Sequence, residues 1–153
     1  AVPDFLVSGR LAPRPSIPTL ANAMDVGHPS NMERLLALLP DSASVLRAGL
    51  AATSIDDAAI RDRIRADHER FGMTWCPHTA TAAETWARMS TEERAAHQWT
   101  LVATAHPAKF RETVEPLVGA VEIPENLRRL YELPSSFREI EPRLAALRSA
   151  TGD

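Results

Sequence analysis

The chain has one lysine, Lys109, and one cysteine, Cys76, and both scarcities restrict what it can be. A single thiol excludes an intrachain disulfide, so a reducing, cytoplasmic setting is expected. No run of about 18 or more apolar residues is present, which leaves no candidate membrane-spanning helix and predicts no membrane partner. The start, Ala1-Val2-Pro3-Asp4-Phe5, has neither an initiator Met nor the basic and apolar regions of a signal peptide, so the chain is expected to begin inside something longer. Arg makes up the rest of the 17 basic residues, which are scattered among 20 acidic ones. A net charge of −3 argues against a nucleic-acid partner. The length and the ordinary apolar and charged fractions suit a soluble globular domain.

What is present falls into three stretches. Residues 1–19 carry Pro3, Pro13, Pro15, Pro18 and Gly9, a density that predicts an extended lead-in. Residues 20–120 alternate helical and apolar runs. Met32, Leu35, Leu36 and Leu39 share one face of a short helix that Pro40 would end. Ala51 to Ile55 reads as a short strand or turn. Ser54 and Asp57 stand at capping-box spacing ahead of a long helix that places Ile60, Ile64 and Phe71 inside, keeps Asp67 and the arginines wet, and ends at Gly72. Met73-Thr74-Trp75-Cys76 is a brief apolar run before an Ala-rich helix with Pro77 in its first turn. Trp99 to Thr104 reads as a strand buried on both faces, followed by a helix from about Ala108 to Val118. Residues 121–153, cut by Pro124, Pro134 and Pro142, read as a helical tail.

The alternation predicts an α/β fold with parallel strands, right-handed crossovers and covering helices. Two or three such strands make a poor independent sheet, so the expectation is part of a larger domain whose exposed edges favour self-association.

In open α/β sheets, ligands rest beyond the carboxyl ends of strands, which draws attention to Thr104 through Phe110. The Thr104 hydroxyl can bond a ligand or the neighbouring backbone. His106 can bind an anion or move protons, or it can simply be a turn histidine. Lys109 invites a Schiff-base reading, but Arg111 and Glu112 beside it favour a solvated charge. Cys76 and His78 lack the other parts of a cysteine hydrolase. The five histidines lack metal-ligand spacing, so no metal is expected. Trp75, Trp86 and Trp99 suit core packing better than base stacking.

Thr19-Leu20-Ala21-Asn22-Ala23-Met24-Asp25-Val26, Pro29-Ser30-Asn31-Met32-Glu33-Arg34, Pro77-His78-Thr79-Ala80 and Thr104 to Phe110 resemble, in order and spacing, the C-terminal part of the threonine synthase family. That resemblance implies the C-terminal part of a three-layer fold-type-II domain that binds pyridoxal 5'-phosphate. The implied reaction turns O-phosphohomoserine and water into threonine and phosphate. The residue matching Thr104 offers its hydroxyl to the pyridine nitrogen of the cofactor, and a hydroxyl does not stabilise a protonated ring as a carboxylate would. His106 and Lys109 match the loop beyond. Asn22, Asp25, Asn31, His78 and Thr79 match stretches expected near the cofactor or the domain junction. The family's Schiff-base lysine and phosphate loop lie N-terminal to the matched region, so Lys109 is not the cofactor lysine. No residue here is assigned a catalytic role, and the chain alone is expected to be inactive without the missing N-terminal portion. Two other readings stand beside this one: a different fold-type-II lyase or dehydratase acting on a hydroxyamino acid, and a non-catalytic helical interaction module.

Overall fold

Asp56 begins the longest helix: its backbone is extended and its carboxylate accepts the Ala59 N–H at 2.8 Å, satisfying one of the donors that a helix start leaves open. In the computed structural model, which describes residues 1–39, 41, 44, 45 and 48–152, this helix is one of those that lie wholly within the described residues. They are α1 (Val2–Ser8), α2 (Met32–Leu38), α3 (Asp57–Phe71), α4 (Pro77–Ala87), α5 (Thr91–Ala96), α6 (Arg111–Val118), α7 (Glu125–Tyr131) and α8 (Leu144–Thr151). Two short 3-10 turns, Asn22–Met24 and Pro107–Phe110, punctuate them. The chain forms two units, Ala1–Val121 and Glu122–Asp153.

The cap differs from the sequence expectation, since Asp56 does the work assigned to Ser54 and Asp57. The Asp57 carboxylate instead accepts the Leu20 N–H at 2.9 Å and ties the 19–25 segment to the start of α3. Gly72 ends α3 at φ 66°, a left-handed conformation that costs glycine little. Ile60 and Ile64 are buried as expected, but Phe71 lies under the Arg70 guanidinium and is 53% exposed. Pro40, expected to stop α2, lies outside the described residues.

The main core of the first unit joins Ile60 and Ile64 of α3, Ala80 of α4, Val114 of α6 and Ala21, with Leu20, Ile55, Trp75, Phe110, Leu117, Val118 and Val121 around them. Each buried Ile or Val contributes roughly 1.5–3 kcal/mol through water removed from its surface. Small residues on α4 let it lie close against α3. Polar contacts fix the same pair. Arg63 bonds Asp67 and Glu84, both at 2.9 Å, and Asp67, 7% exposed, also accepts the Trp75 indole N–H at 2.7 Å. Burial acts to lower the Arg63 pKa, but the bonds to Glu84 and Asp67 outweigh it and raise the value above the ordinary one. The expectation that Asp67 sits on the wet side is therefore reversed.

Within residues 1–19, the stretch Val2–Ser8 is helical and not extended. Pro3 occupies the first turn of α1, where its missing N–H does no harm, and Phe5 is buried with Met32 and Val45 in a second cluster. Gly27 closes this stretch against Arg14: the Arg14 backbone N–H donates to the Gly27 carbonyl at 3.1 Å, and a Cβ on Gly27 would run into the Arg14 carbonyl oxygen.

The α/β expectation is overturned, because no strand occurs among the described residues. The sequence of apolar runs was sound, but a strand needs a second extended segment to exchange its backbone hydrogen bonds with. Residues 98–104 have no backbone pairing with another segment among the described residues. Trp99 and Val102, expected inside, are 43% and 68% exposed. Residues 73–76 likewise join α3 to α4 as an irregular connection.

The second unit contains α7 and α8, and among its apolar side chains Leu130, Leu133, Leu144 and Leu147 are exposed. Among the described residues, no helix is long and apolar enough to cross a membrane.

Candidate functional site

The start of α4 is built by Cys76, whose sulfur accepts the Thr79 N–H at 3.4 Å, and by Pro77, whose fixed φ suits the first helical turn. This turn delivers two buried polar side chains, His78 and Thr79, to one place. The His78 Nε2 accepts the Ala23 N–H at 3.0 Å. A backbone N–H can only donate, so Nε2 carries no proton and the neutral ring is protonated at Nδ1. The Phe110 ring packs on this imidazole at 4.9 Å between centroids. The Thr79 hydroxyl accepts the Thr104 N–H at 3.3 Å and lies 3.2 Å from the Cys76 sulfur. The 3-10 turn at Asn22, the first turn of α4 and the segment from Thr104 to Phe110 thus converge.

Within this convergence the expected residues divide by exposure. Thr104 is exposed, and its hydroxyl has no hydrogen-bond partner among the described residues. Its backbone, not its side chain, makes the contact with α4. His106 caps the following turn: Nδ1 accepts the Ala108 N–H at 3.1 Å, which places the neutral ring's proton on Nε2. Lys109 is exposed in that turn, as a solvated charge would be. Asn22 opens its turn on the surface, with its carbonyl accepting the Asp25 N–H at 3.1 Å. Asp25 is half-buried and bonded to both the backbone and hydroxyl of Thr19, at 2.7 and 2.6 Å, so its carboxylate shapes the loop. Asn31 stands apart, exposed at the start of α2 beside the second cluster.

Two participants lie inside the quoted motifs without being expected as site residues: the Ala23 amide, which any residue except Pro would supply, and the Phe110 ring. Among the described residues, no group of three or more His, Cys, Asp or Glu side chains could hold a metal ion. Chemically, the convergence offers an exposed hydroxyl and an exposed imidazole N–H on a segment anchored to a buried polar turn.

The family model described as "Threonine synthase, C-terminal" matches residues 79–150. The threonine synthase of Haemophilus influenzae is 32% identical over 97% of this chain and 34% of its own length. That of Escherichia coli is 32% identical over 96% of the chain and 33% of its own length. The chain therefore spans about a third of the curated relatives it matches. Among solved structures, E. coli threonine synthase superimposes with a TM-score of 0.74 at 28% identity, covering 99% of this chain and 34% of that one. A PLP-bound threonine synthase from Brucella melitensis gives a TM-score of 0.66 at 22% identity over 97% of this chain and 37% of that one, a likeness of fold.

Proposed function

Because the chain belongs to the threonine synthase family, matching the C-terminal third of its relatives, we propose that it supplies part of a pyridoxal-phosphate enzyme converting O-phosphohomoserine and water to threonine and phosphate. The observation that carries this reading is 32% identity over 97% of the chain with a threonine synthase.

The residues present suit one edge of such a cofactor. Thr104 presents a hydroxyl with no partner among the described residues, on a backbone held by a buried side chain. A hydroxyl bonds a neutral ring nitrogen without imposing a charge on it. When bound, the cofactor supplies an electron sink, and the role of Thr104 is to orient its ring. His106, protonated on its exposed Nε2, presents a donor on the same segment. His78 is committed to the Ala23 amide, so its part is to hold the 21–25 turn. Lys109 lies in a surface turn and has no place as the Schiff-base group. The lysine that binds the cofactor, and the loop that grips its phosphate, are assigned to an N-terminal portion of a longer enzyme. The reduced, buried Cys76 suits a cytoplasmic setting.

The test is a chimera that joins this chain to the first two-thirds of the E. coli relative. Phosphate release from O-phosphohomoserine, with cofactor absorbance, is the expected result, and Thr104→Ala should lower it by at least about tenfold, the equivalent of one lost hydrogen bond of about 1.4 kcal/mol. A chimera that folds and binds the cofactor but releases no phosphate refutes the reading.

A further inference from the structure

We propose that Thr79 is a positioning residue whose hydroxyl fixes where Thr104 stands; the proposal rests on the cofactor reading only for what the Thr104 hydroxyl then does. Between Gln98 and Ala105, two hydrogen bonds reach the rest of the described molecule. One is the long bond from the Trp99 indole to the Glu93 carbonyl at 3.4 Å. The other is the Thr104 N–H on the Thr79 hydroxyl at 3.3 Å. The segment's apolar side chains bury it little, since Trp99, Val102 and Ala103 are exposed and Leu101 and Ala105 are only partly buried. Fixing a residue's backbone costs conformational entropy that burial or hydrogen bonding must offset. With so little burial, the bond at Thr104 decides whether this residue is held at all.

Thr79 suits that task because it is itself held on every side. It is 1% exposed, sits in the first turn of α4, and precedes Ala80, which is buried against Ile60 and Ile64. The oxygen that accepts from Thr104 also lies 3.2 Å from the Cys76 sulfur, the atom that caps the start of α4, and either of these two groups can donate to the other. A Ser keeps this arrangement, and a Val keeps the volume without the oxygen.

Amide hydrogen exchange on the 153-residue chain tests the proposal. In the unmodified protein, the Thr104 amide should exchange about tenfold more slowly than the neighbouring Ala103 amide, the factor given by about 1.4 kcal/mol of hydrogen bonding. Thr79→Val should abolish that difference, and Thr79→Ser should restore it. Equal rates at residues 103 and 104 in the unmodified protein overturn the proposal, even if Thr79→Val fails to fold. Protection of Thr104 that survives in a folded Thr79→Val variant overturns it as well. These rates involve no cofactor, so their failure is distinct from a chimera that releases no phosphate.

Discussion

Replacing Asp67 tests whether the polar bonds that tie α3 to the 73–76 connection and hold Arg63 in place add to the apolar seam. The carboxylate is 7% exposed and accepts from Arg63 at 2.9 Å and from the Trp75 indole at 2.7 Å. Asp67→Ala strips the indole N–H of its acceptor and leaves Arg63 with Glu84 alone. Removing one partner of a fully buried pair costs about 3–5 kcal/mol, whereas a bond to a charged group contributes about 1.5–3 kcal/mol. The Arg63 side chain is 24% exposed, so water recovers part of the loss. The expected destabilisation is about 2–3 kcal/mol. Asp67→Asn keeps an oxygen for one donor but turns an amide toward the other, and should cost about 1–2 kcal/mol. Urea unfolding followed by tryptophan fluorescence reads both values, and a cycle with Trp75→Phe isolates the indole bond. An Asp67→Ala protein within about 0.5 kcal/mol of the parent, the range of an ordinary surface change, refutes the reasoning.

Gly27→Ala drives a methyl into the Arg14 carbonyl, which is backbone and cannot swing away; a loss of about 3 kcal/mol is expected, and an unchanged melting temperature would show that the close approach is absent. Asp56→Ala should lower stability by about 1 kcal/mol through loss of the α3 cap. Ser54→Ala should do almost nothing, and the reverse ranking in denaturant melts would return the cap to Ser54. Glu115 is held below the usual carboxylate range by the hydrogen bond from Arg111 and then by the Val121 N–H. A carboxyl depressed in the folded state adds stability above its unfolded pKa and loses it as pH falls through the folded one. Glu115→Gln should therefore flatten the acid limb of a melting-temperature profile; parallel profiles for the two proteins would contradict this.

The legible part of this molecule is what neighbours in sequence decide. Ile60 and Ile64 announced a buried helical face through their spacing, Gly72 announced its end, and Pro77 marked the first turn of α4. The order of short motifs across the chain was also legible, since it needs only identity and spacing. The burial of Asp67 was not legible because the Trp75 indole reaches its carboxylate only when the chain folds back after Gly72, whereas Arg63 stands one turn away on the same helix. The exposure of Phe71 was not legible because it is the last residue of α3, where the ring meets the Arg70 guanidinium and stays outside the core cluster.

The sequence by itself determined where α3 ends and α4 begins, which residues of α3 are apolar enough to be buried, and the family to which the chain belongs, because these depend on local chemistry and linear order. Tertiary structure alone decided the state of residues 98–104, since an apolar run becomes a strand only when another segment offers the matching donors and acceptors. It also decided that Thr104 meets the Thr79 hydroxyl while Asn31 lies with another cluster. Residues 25 positions apart carry no local sign of their meeting, because a long-range hydrogen bond is fixed by how helices pack and not by the residues between them.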